Sequence, residues 1–294
     1  MDEIQRERPL GASGIVVPAV GVGTNRWGGR ASDPVRLGEA YRTALDAGIG
    51  FFDTAEIYTG GRSERAVGTE ARADARPVVL ASKFAPYPHR LSAAQFSRAL
   101  DRTLGRMGRE SIDLYYLHFP YSPVGVGGWM MAMARAVQAG KIRAVGVSNC
   151  SAAQMRRAAA VLGEHDIPLA ANQVQYSLTH RKPETDGVLD ACRQMDVALV
   201  AYRPIGGGSL RAGGSTGSGP TPLMAALDEV ATRCDATVTQ VALAWLLRRD
   251  AHVIAIPGAT KPAHVSENAG ALSLTLSDDD CSAIDTASGG RSAR

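Results

Sequence analysis

The sequence FFDTAEIY, residues 51–58, joins the end of a predicted strand to a loop that contains a tyrosine. It starts within an apolar run, Ile49 to Phe52, that predicts a buried strand. Asp53 ends this strand, and Tyr58 lies in the loop that follows. A phenol has a pKa of about 10 and is a poor acid at neutral pH until a neighbouring cation stabilises its phenolate. The chain must therefore supply a cation nearby if Tyr58 is to donate a proton.

Two further apolar runs end in residues of the required type. Residues 77–83, PVVLASK, end in a lysine, and residues 112–118, IDLYYLH, end in a histidine. In a barrel of parallel strands the carboxyl ends of the strands converge on one face, where the active sites of such barrels lie. The sequence therefore predicts a catalytic group on that face. Its members are Asp53, Tyr58, Lys83 and His118.

Composition limits the classes of function. The chain has 294 residues, of which 45% are hydrophobic, and a formal net charge of only +3. A length near 250 residues suits one α/β barrel domain, so residues 1–294 are interpreted as a single domain. The small net charge and the absence of a Lys/Arg-rich run argue against nucleic acid or an anionic membrane as the main partner. No apolar run approaches the roughly 20 residues that span a bilayer.

The four cysteines are far apart in the sequence and form no C-x-x-C pair, which predicts neither a metal site nor a disulfide framework. We therefore expect no metal ion and a reducing, cytoplasmic location. The charged segment from Met1 to Arg8 has no apolar core and does not resemble a signal peptide.

Eight strand-like segments alternate with helical segments along the chain. The predicted strands cover residues 19–23, 49–53, 77–83, 112–118, 142–147, 169–174, 197–202 and 252–256. Eight such units predict an α/β fold, a single (β/α)8 TIM barrel. A short N-terminal β-hairpin over residues 10–17 precedes the barrel and is expected to close its bottom, and additional helices follow at the C-terminus.

Several helix bounds follow from local signals. Asp33 before Pro34, and Ser92, Ser151 and Ser277, have the character of N-cap residues. Residues 222–249 predict two consecutive helices. A short helix is expected from Ser63, with Glu64 to Val67 inside it. Other helices are expected over 129–139, 185–195 and 262–269, and a Gly/Ser-rich loop over 206–219.

An open doubly wound sheet is the structural alternative. Its fingerprint, G-x-G-x-x-G, should follow the first strand. Gly21-Val22-Gly23 begins in that way, but residue 26 is Arg, so the fingerprint fails.

Six motifs occur in an order and spacing that resemble the aldo-keto reductase superfamily. They cover residues 52–58, 82–83, 117–120, 146–149, 172–176 and 256–260, and the resemblance extends from Val20 to Asn268. It implies an enzyme that binds NADPH and reduces a carbonyl compound by hydride transfer. Tyr58 would then donate the proton, and Lys83 would lower the pKa of Tyr58. Asp53 would hold Lys83, and His118 would orient the carbonyl oxygen.

The resemblance also implies the cofactor site. Ser148, Asn149 and Gln173 match residues that hold the nicotinamide carboxamide, and Tyr202 matches the ring that stacks on the nicotinamide. Residues 203–210 match the segment around the pyrophosphate. The full set of predicted cofactor residues is Gly23, Thr24, Asn25, Asp53, Ser148, Asn149, Gln173, Tyr202, Arg203, Pro204, Ile205, Gly206, Gly208, Ser209, Leu210, Ile256, Gly258, Thr260, Lys261, His264, Glu267 and Asn268.

Three residues depart from the common pattern of this superfamily. Arg203 stands where Ser is common, and it could add a charge near the pyrophosphate or the substrate. His264 stands where many members have Arg for the 2′-phosphate of the cofactor. Lys261 could supply that charge, and NADH remains a possible cofactor beside NADPH. Thr59 replaces the common Gly after the tyrosine.

The substrate is predicted to be a small-molecule carbonyl compound. Tyr58 and His118 would contact it, and three aromatic residues near the active face, Trp27, Tyr87 and Trp129, are candidates to line an apolar pocket. The alternative is that these aromatics pack against neighbouring loops.

A second function is compatible with the same motifs. Some members of the superfamily are NADPH-binding regulatory subunits with little or no turnover. The chain lacks a long N-terminal extension, which favours the enzyme, and we expect a monomer. Alcohol oxidation, the reverse direction, is a third possibility.

Overall fold

The computed structural model describes residues 4–208 and 221–289. An antiparallel hairpin, β1 (Glu7–Pro9) and β2 (Val16–Pro18), precedes a sheet of eight parallel strands. The strands of this sheet are β3 (Val22–Gly23), β4 (Phe51–Asp53), β5 (Val79–Phe84), β6 (Ile112–Leu117), β7 (Ile142–Ser148), β8 (Leu169–Gln175), β9 (Ala198–Tyr202) and β10 (Val253–Ile256).

The eight strands pair in sequence order, from β3 to β10. Parallel bridges join Val20 to Ala255 and Gly23 to Gly258, and the Gly21 amide donates to the Ala255 carbonyl at 2.8 Å. These contacts bring the first strand against the last and close the sheet. The prediction of a barrel is confirmed, and the open sheet is excluded.

Helices lie between the strands and after the last of them. The described residues contain α1 (Pro34–Asp46), α2 (Arg62–Ala73), α3 (Ala93–Met107), α4 (Gly125–Gln138), α5 (Ala152–Gly163), α6 (Val188–Met195), α7 (Pro222–Arg233), α8 (Val238–Arg248), α9 (Pro262–Gly270) and α10 (Asp278–Ala287). No helix in these parts of the chain is long and apolar enough to cross a membrane.

The predicted N-caps are confirmed. The Asp33 side chain accepts the Val35 amide, with Pro34 at the first helical position. Capping boxes begin α3, α5 and α10, because in each the capping serine and the third helical residue satisfy each other's backbone amide.

Three helix predictions differ from the structure. Helix α2 spans 12 residues, Arg62–Ala73, and is longer than the short helix expected from Ser63. Helix α4 begins at Gly125, four residues before the predicted start, although glycines have low helix propensity. The helix predicted over 185–195 begins only at Val188, after a 3-10 turn at Lys182–Glu184, because Gly187 at its N-cap adopts a left-handed conformation with φ of 80°.

The barrel interior is filled by its own apolar cluster. It combines alanines with larger residues, including Phe51, Leu114, Tyr116 and Val200. Leu10, Ile15 and Val17 of the hairpin region belong to the same cluster. A Cβ at Gly11 would lie 2.4 Å from the Asp196 carbonyl oxygen, so only glycine permits this approach. The hairpin therefore closes the amino-terminal end of the barrel, as predicted, and leaves the carboxyl end for the site.

Candidate active site

Asp53 and Lys83 form a buried ion pair at the carboxyl ends of β4 and β5. Lys83 Nζ lies 2.5 Å from Asp53 Oδ1, and the two side chains are 0% and 2% exposed. Lys83 Nζ also donates to the Thr54 carbonyl at 2.7 Å, while Gln173 Nε2 donates to Asp53 Oδ2 at 2.8 Å. Contacts from β4, from the loop after it and, through Asp53, from β8 therefore fix the position of Lys83 on β5.

Electrostatics keeps Lys83 charged. Burial disfavours the cation of Lys83, but the attraction of Asp53 and Tyr58 outweighs burial and raises the pKa of Lys83. Burial raises the pKa of Asp53, against the opposing effects of Lys83 and Gln173. A lysine with a raised pKa remains an ammonium at neutral pH, and its positive charge faces Tyr58.

Tyr58 begins a 3-10 turn, Tyr58–Gly61, one loop after Asp53. Lys83 Nζ lies 4.8 Å from the centroid of the Tyr58 ring. Burial raises the pKa of Tyr58 and outweighs the lowering by Lys83. The contribution of Lys83 to the pKa of this phenol has the direction that the resemblance implies, but burial outweighs it. Tyr58 retains its proton at neutral pH.

His118 follows β6 and stands beside Tyr58. The two ring centroids are 5.8 Å apart and the ring planes are nearly perpendicular, at 82°. Burial and the nearby Lys83 charge lower the pKa of His118 to about 3. A neutral imidazole can donate a hydrogen bond but carries no extra proton to give, which suits a residue that orients an acceptor. The structure thus brings the four predicted catalytic residues together.

Polar side chains continue from His118 across the ends of β7, β8 and β9. This group is here called the polar wall and consists of Ser148, Asn149, Gln173 and Tyr202. Asn149 Nδ2 donates to the His118 carbonyl at 3.2 Å and to Ser148 Oγ at 3.0 Å, while Tyr202 OH donates to Asn149 Oδ1 at 3.0 Å. Asn149 adopts a left-handed conformation, with φ of 57°, which asparagine tolerates better than most residues. Gln173 links this wall to the catalytic pair through Asp53.

The predicted adenosine end lies near the start of α9. Lys261 is exposed at the N-cap of this helix, and Asn268 is 3% exposed further along it. Asn268 Oδ1 is buried without a hydrogen-bond partner among the described residues. A buried acceptor of this kind fits a ligand that brings its own donor, and an exposed ammonium at a helix N-terminus fits a phosphate. These observations fit NADPH.

The remaining predicted cofactor residues differ in exposure. Asn25, Arg203 and Gly258 are exposed, whereas Thr24, Pro204, Ile205 and Ile256 are buried. The Thr24 hydroxyl is used within the protein, since it bonds the Asp53 carbonyl at 2.8 Å and Ser63 Oγ at 2.9 Å. Its backbone is used within the protein as well, since the Thr24 amide donates to the Asp53 carbonyl at 2.9 Å and the Thr24 carbonyl accepts Ser63 Oγ at 2.7 Å. Gly23, Gly206, Thr260, His264 and Glu267 are partly exposed, and Ser209 and Leu210 lie outside the described residues.

Two of the predicted substrate residues are part of the core. Trp27 is 0% exposed and donates from Nε1 to the Ala259 carbonyl at 2.7 Å. Trp129 is 1% exposed and packs against Phe84, with ring centroids 4.8 Å apart. Neither indole has exposed surface that a substrate could contact. Both rings pack against neighbouring residues instead, which was the alternative expectation for these aromatics. Tyr87, by contrast, is 43% exposed.

Two residues beside the catalytic group, Glu56 and Tyr116, were not predicted from the sequence. Glu56 forms an ion pair with Arg90, which lies 34 positions later on the loop after β5. The ring of Tyr116, on β6, lies beneath Lys83, with its centroid 5.7 Å from Nζ. Glu56 lies inside the stretch 51–58, but nothing in the sequence indicated its distant partner. The inward direction of Tyr116 follows from strand alternation once the register of β6 is known.

Known proteins with similar sequences identify the protein family to which this fold and site belong. The model of the Aldo/keto reductase family matches residues 19–288. Aldo-keto reductase yakc of Schizosaccharomyces pombe, whose name specifies NADP(+), is 33% identical, with 89% of this chain and 86% of that protein covered. Methylglyoxal reductase YeaE of Escherichia coli is also 33% identical, over 93% of this chain and 92% of its own.

Solved structures agree with this placement. The crystal structure of an aldo/keto reductase from Klebsiella pneumoniae in complex with NADP and acetate has a TM-score of 0.83 and 32% identity to this chain. The match covers 99% of this chain and 98% of that one. The fold and the site define a barrel oxidoreductase. The chain belongs to the aldo/keto reductase family.

Proposed function

We propose that this protein reduces an aldehyde or ketone to an alcohol with NADPH as the hydride donor. The observation that carries the proposal is the convergence of Asp53, Lys83, Tyr58 and His118 at the carboxyl ends of β4 to β6, with the buried Lys83–Asp53 pair at 2.5 Å. Family membership and relatives whose names or structures specify NADP support the choice of cofactor.

Tyr58 is the proton donor in this proposal. Its pKa is raised by burial, so the hydroxyl is protonated at neutral pH and holds the proton that the product alcohol needs. The bound nicotinamide supplies a hydride to the carbonyl carbon. As negative charge develops on the carbonyl oxygen, Tyr58 transfers its proton there. The Lys83 ammonium, 4.8 Å from the ring centroid, then stabilises the phenolate that remains.

Asp53 and His118 support this transfer in different ways. Asp53 holds the Lys83 ammonium in place, and Gln173 holds the second oxygen of Asp53. His118 is neutral above about pH 3, so it offers a hydrogen bond to the carbonyl oxygen rather than a proton. A donor already aimed at the developing charge lowers the barrier without reorganisation.

The cofactor would lie across the polar wall and extend towards α9. Ser148, Asn149 and Gln173 would hold the carboxamide of the nicotinamide, and the Tyr202 ring would pack on its face. The described part of the segment 203–210 would adjoin the pyrophosphate. Near α9, Lys261 would meet the 2′-phosphate, with Asn268 Oδ1 accepting from the adenine. An exposed lysine at that position favours NADPH over NADH.

The test is an absorbance assay of NADPH and NADH oxidation with a panel of aldehydes and ketones. We expect repeated turnover with NADPH, and we expect Lys261→Ala to raise the Kd for NADPH while leaving that for NADH unchanged. Tight NADPH binding without turnover of any carbonyl compound would favour the regulatory subunit. Binding of neither nucleotide would contradict the proposal.

Other sequence predictions accompany this proposal. The single domain over residues 1–294, the monomeric state, the cytoplasmic location and the absence of a metal ion stay predictions from the sequence. The roles of Tyr58, His118 and Tyr87 in contacting the substrate are part of the proposal.

A further inference from the structure

Glu56 lies in the four-residue segment between Asp53 and Tyr58, and its carboxylate faces the loop after β5. Oε1 accepts the Ala85 amide at 2.7 Å and Oε2 accepts Arg90 Nη2 at 3.1 Å, while Arg90 Nη1 also bonds Oε1. The two side chains are only 14% and 9% exposed, for Arg90 and Glu56. A forked pair of this kind is shielded from solvent and fixes direction as well as distance.

The pair shapes the loop of residues 85–91, here called the β5–α3 loop. Arg90 Nη1 donates to the Ala85 carbonyl at 2.8 Å, so Glu56 and Arg90 together hold both backbone groups of Ala85. Inside the loop, the Arg90 amide donates to the Tyr87 carbonyl at 2.8 Å. At the far end, Gln95 of α3 accepts the Leu91 amide at 2.7 Å. The loop is therefore anchored at both ends.

The guanidinium of Arg90 also lies close to two aromatic rings, those of Phe84 and Tyr87. Its guanidinium carbon lies 5.0 Å from the centroid of the buried Phe84 ring and 5.1 Å from that of Tyr87. Phe84 rests on Trp129 in the core. Tyr87 in turn stacks on His89, with centroids 5.6 Å apart and an interplanar angle of 11°. The exposed Tyr87 ring is thus fixed to the core through Arg90.

We propose that the Glu56–Arg90 pair is a positioning device that sets substrate specificity. It holds the Tyr87 ring as an aromatic wall on the carboxyl face of the barrel, because the β5–α3 loop follows the carboxyl end of β5 and is bonded to Glu56, two positions before Tyr58. The protein then favours carbonyl compounds with an aromatic substituent over small aliphatic aldehydes. This inference rests on the proposed function, because it assigns the substrate class of the same site.

A matched control is present at the opposite end of β5. There Asp113 Oδ2 accepts the Leu80 amide at 2.9 Å, and Asp113 Oδ1 accepts Arg143 Nη1 at 2.7 Å. This pair has the same chemistry as Glu56–Arg90, a carboxylate shared by a β5 amide and an arginine. It lies at the amino end of the strand, away from the catalytic group. Glu56→Gln and Arg90→Lys are therefore compared with Asp113→Asn and Arg143→Lys.

The experiment measures kcat and KM for an aromatic aldehyde and for propionaldehyde, the Kd for NADPH, and hydrogen exchange of the Ala85 amide. In Glu56→Gln and Arg90→Lys we expect KM for the aromatic aldehyde to rise about tenfold, with kcat and the KM for propionaldehyde within about twofold. Exchange at Ala85 should accelerate. Tyr87→Ser should reproduce the rise in KM without the faster exchange, and the two control variants should do neither.

Two results would overturn the inference. One is an unchanged KM for the aromatic aldehyde in Glu56→Gln, Arg90→Lys and Tyr87→Ser. The other is an equal loss with both aldehydes, which would assign the pair a general structural role. Wild-type protein that turns over no carbonyl compound would overturn the proposed function together with this inference. Turnover that is insensitive to all these variants would overturn this inference alone.

Discussion

Lys83 Nζ and Asp53 Oδ1 lie 2.5 Å apart, and neither side chain has more than 2% of its surface exposed. Removing one member of such a pair leaves the other charge buried and uncompensated. We expect Lys83→Met to lower the free energy of unfolding by about 3–5 kcal/mol and to abolish carbonyl reduction. Urea denaturation and the NADPH oxidation assay measure the two effects.

The double variant Lys83→Met/Asp53→Asn is the control for this prediction. It removes both charges, so its free energy of unfolding should exceed that of Lys83→Met, while reduction stays absent. The single variant Asp53→Asn completes the comparison. If the losses in free energy of unfolding of Lys83→Met and Asp53→Asn simply add in the double variant, the two side chains are not coupled, and the structural account of Lys83 is wrong.

His118 predicts a dependence of stability on pH. Its pKa is lowered from the ordinary value of 6.5 to about 3 in the folded protein, because of burial and the charge of Lys83. Between these values the unfolded chain binds a proton that the folded protein does not bind. Stability should therefore fall as pH falls from 6.5 towards 3, with a contribution of up to about 1.4 kcal/mol per pH unit from this residue.

The comparison is between wild type and His118→Gln, with urea denaturation at several pH values in that range. The variant should lose stability less steeply on acidification, because its side chain does not titrate. Parallel curves for the two proteins would show that His118 is not a buried neutral imidazole.

Gly146 of β7 predicts a steric effect beneath the catalytic group. A Cβ at this position would lie 2.5 Å from Cδ1 of the Tyr116 ring, and that ring lies below Lys83. The Tyr116 ring is fully buried. We expect Gly146→Ala to lower the free energy of unfolding by about 1–3 kcal/mol and to reduce kcat more than it raises KM.

Gly105→Ala is the matched control for Gly146→Ala. Gly105 lies inside α3, is exposed, and has no atom within 4 Å of an added Cβ. This substitution should raise stability by about 0.5–1 kcal/mol, through the better helix propensity of alanine, and leave kcat unchanged. A loss of stability with Gly105→Ala as large as that with Gly146→Ala would mean that contact with Tyr116 is not the cause.

Much of the site followed from the sequence because its residues stand at strand ends. Asp53 and Lys83 are the last or nearly the last residues of β4 and β5, and His118 directly follows β6. Once eight parallel strands close a barrel, these ends must meet on one face. Helix starts such as Ser92 were predictable for a similar reason, since an N-cap acts within one turn of its own helix.

What the sequence did not predict depends on packing between distant segments. Trp27 is buried because Phe52 and the Ala259 carbonyl surround it, and these lie 25 and 232 positions away in the chain. The net rise in the pKa of Tyr58 depends on how deeply the ring is buried, which opposes the effect of Lys83. The pairing of Glu56 with Arg90 requires the shape of the β5–α3 loop, which no local pattern specifies.

Tyr58 donates the proton in the proposed reaction, and Tyr58→Phe tests this role most directly. The variant keeps the ring over Lys83 and removes only the hydroxyl. Two quantities are measured, the Kd for NADPH by fluorescence titration and the single-turnover rate of carbonyl reduction. We predict an unchanged Kd and a loss of rate of about a hundredfold or more. Unimpaired reduction by Tyr58→Phe, or loss of NADPH binding together with activity, would contradict the assignment.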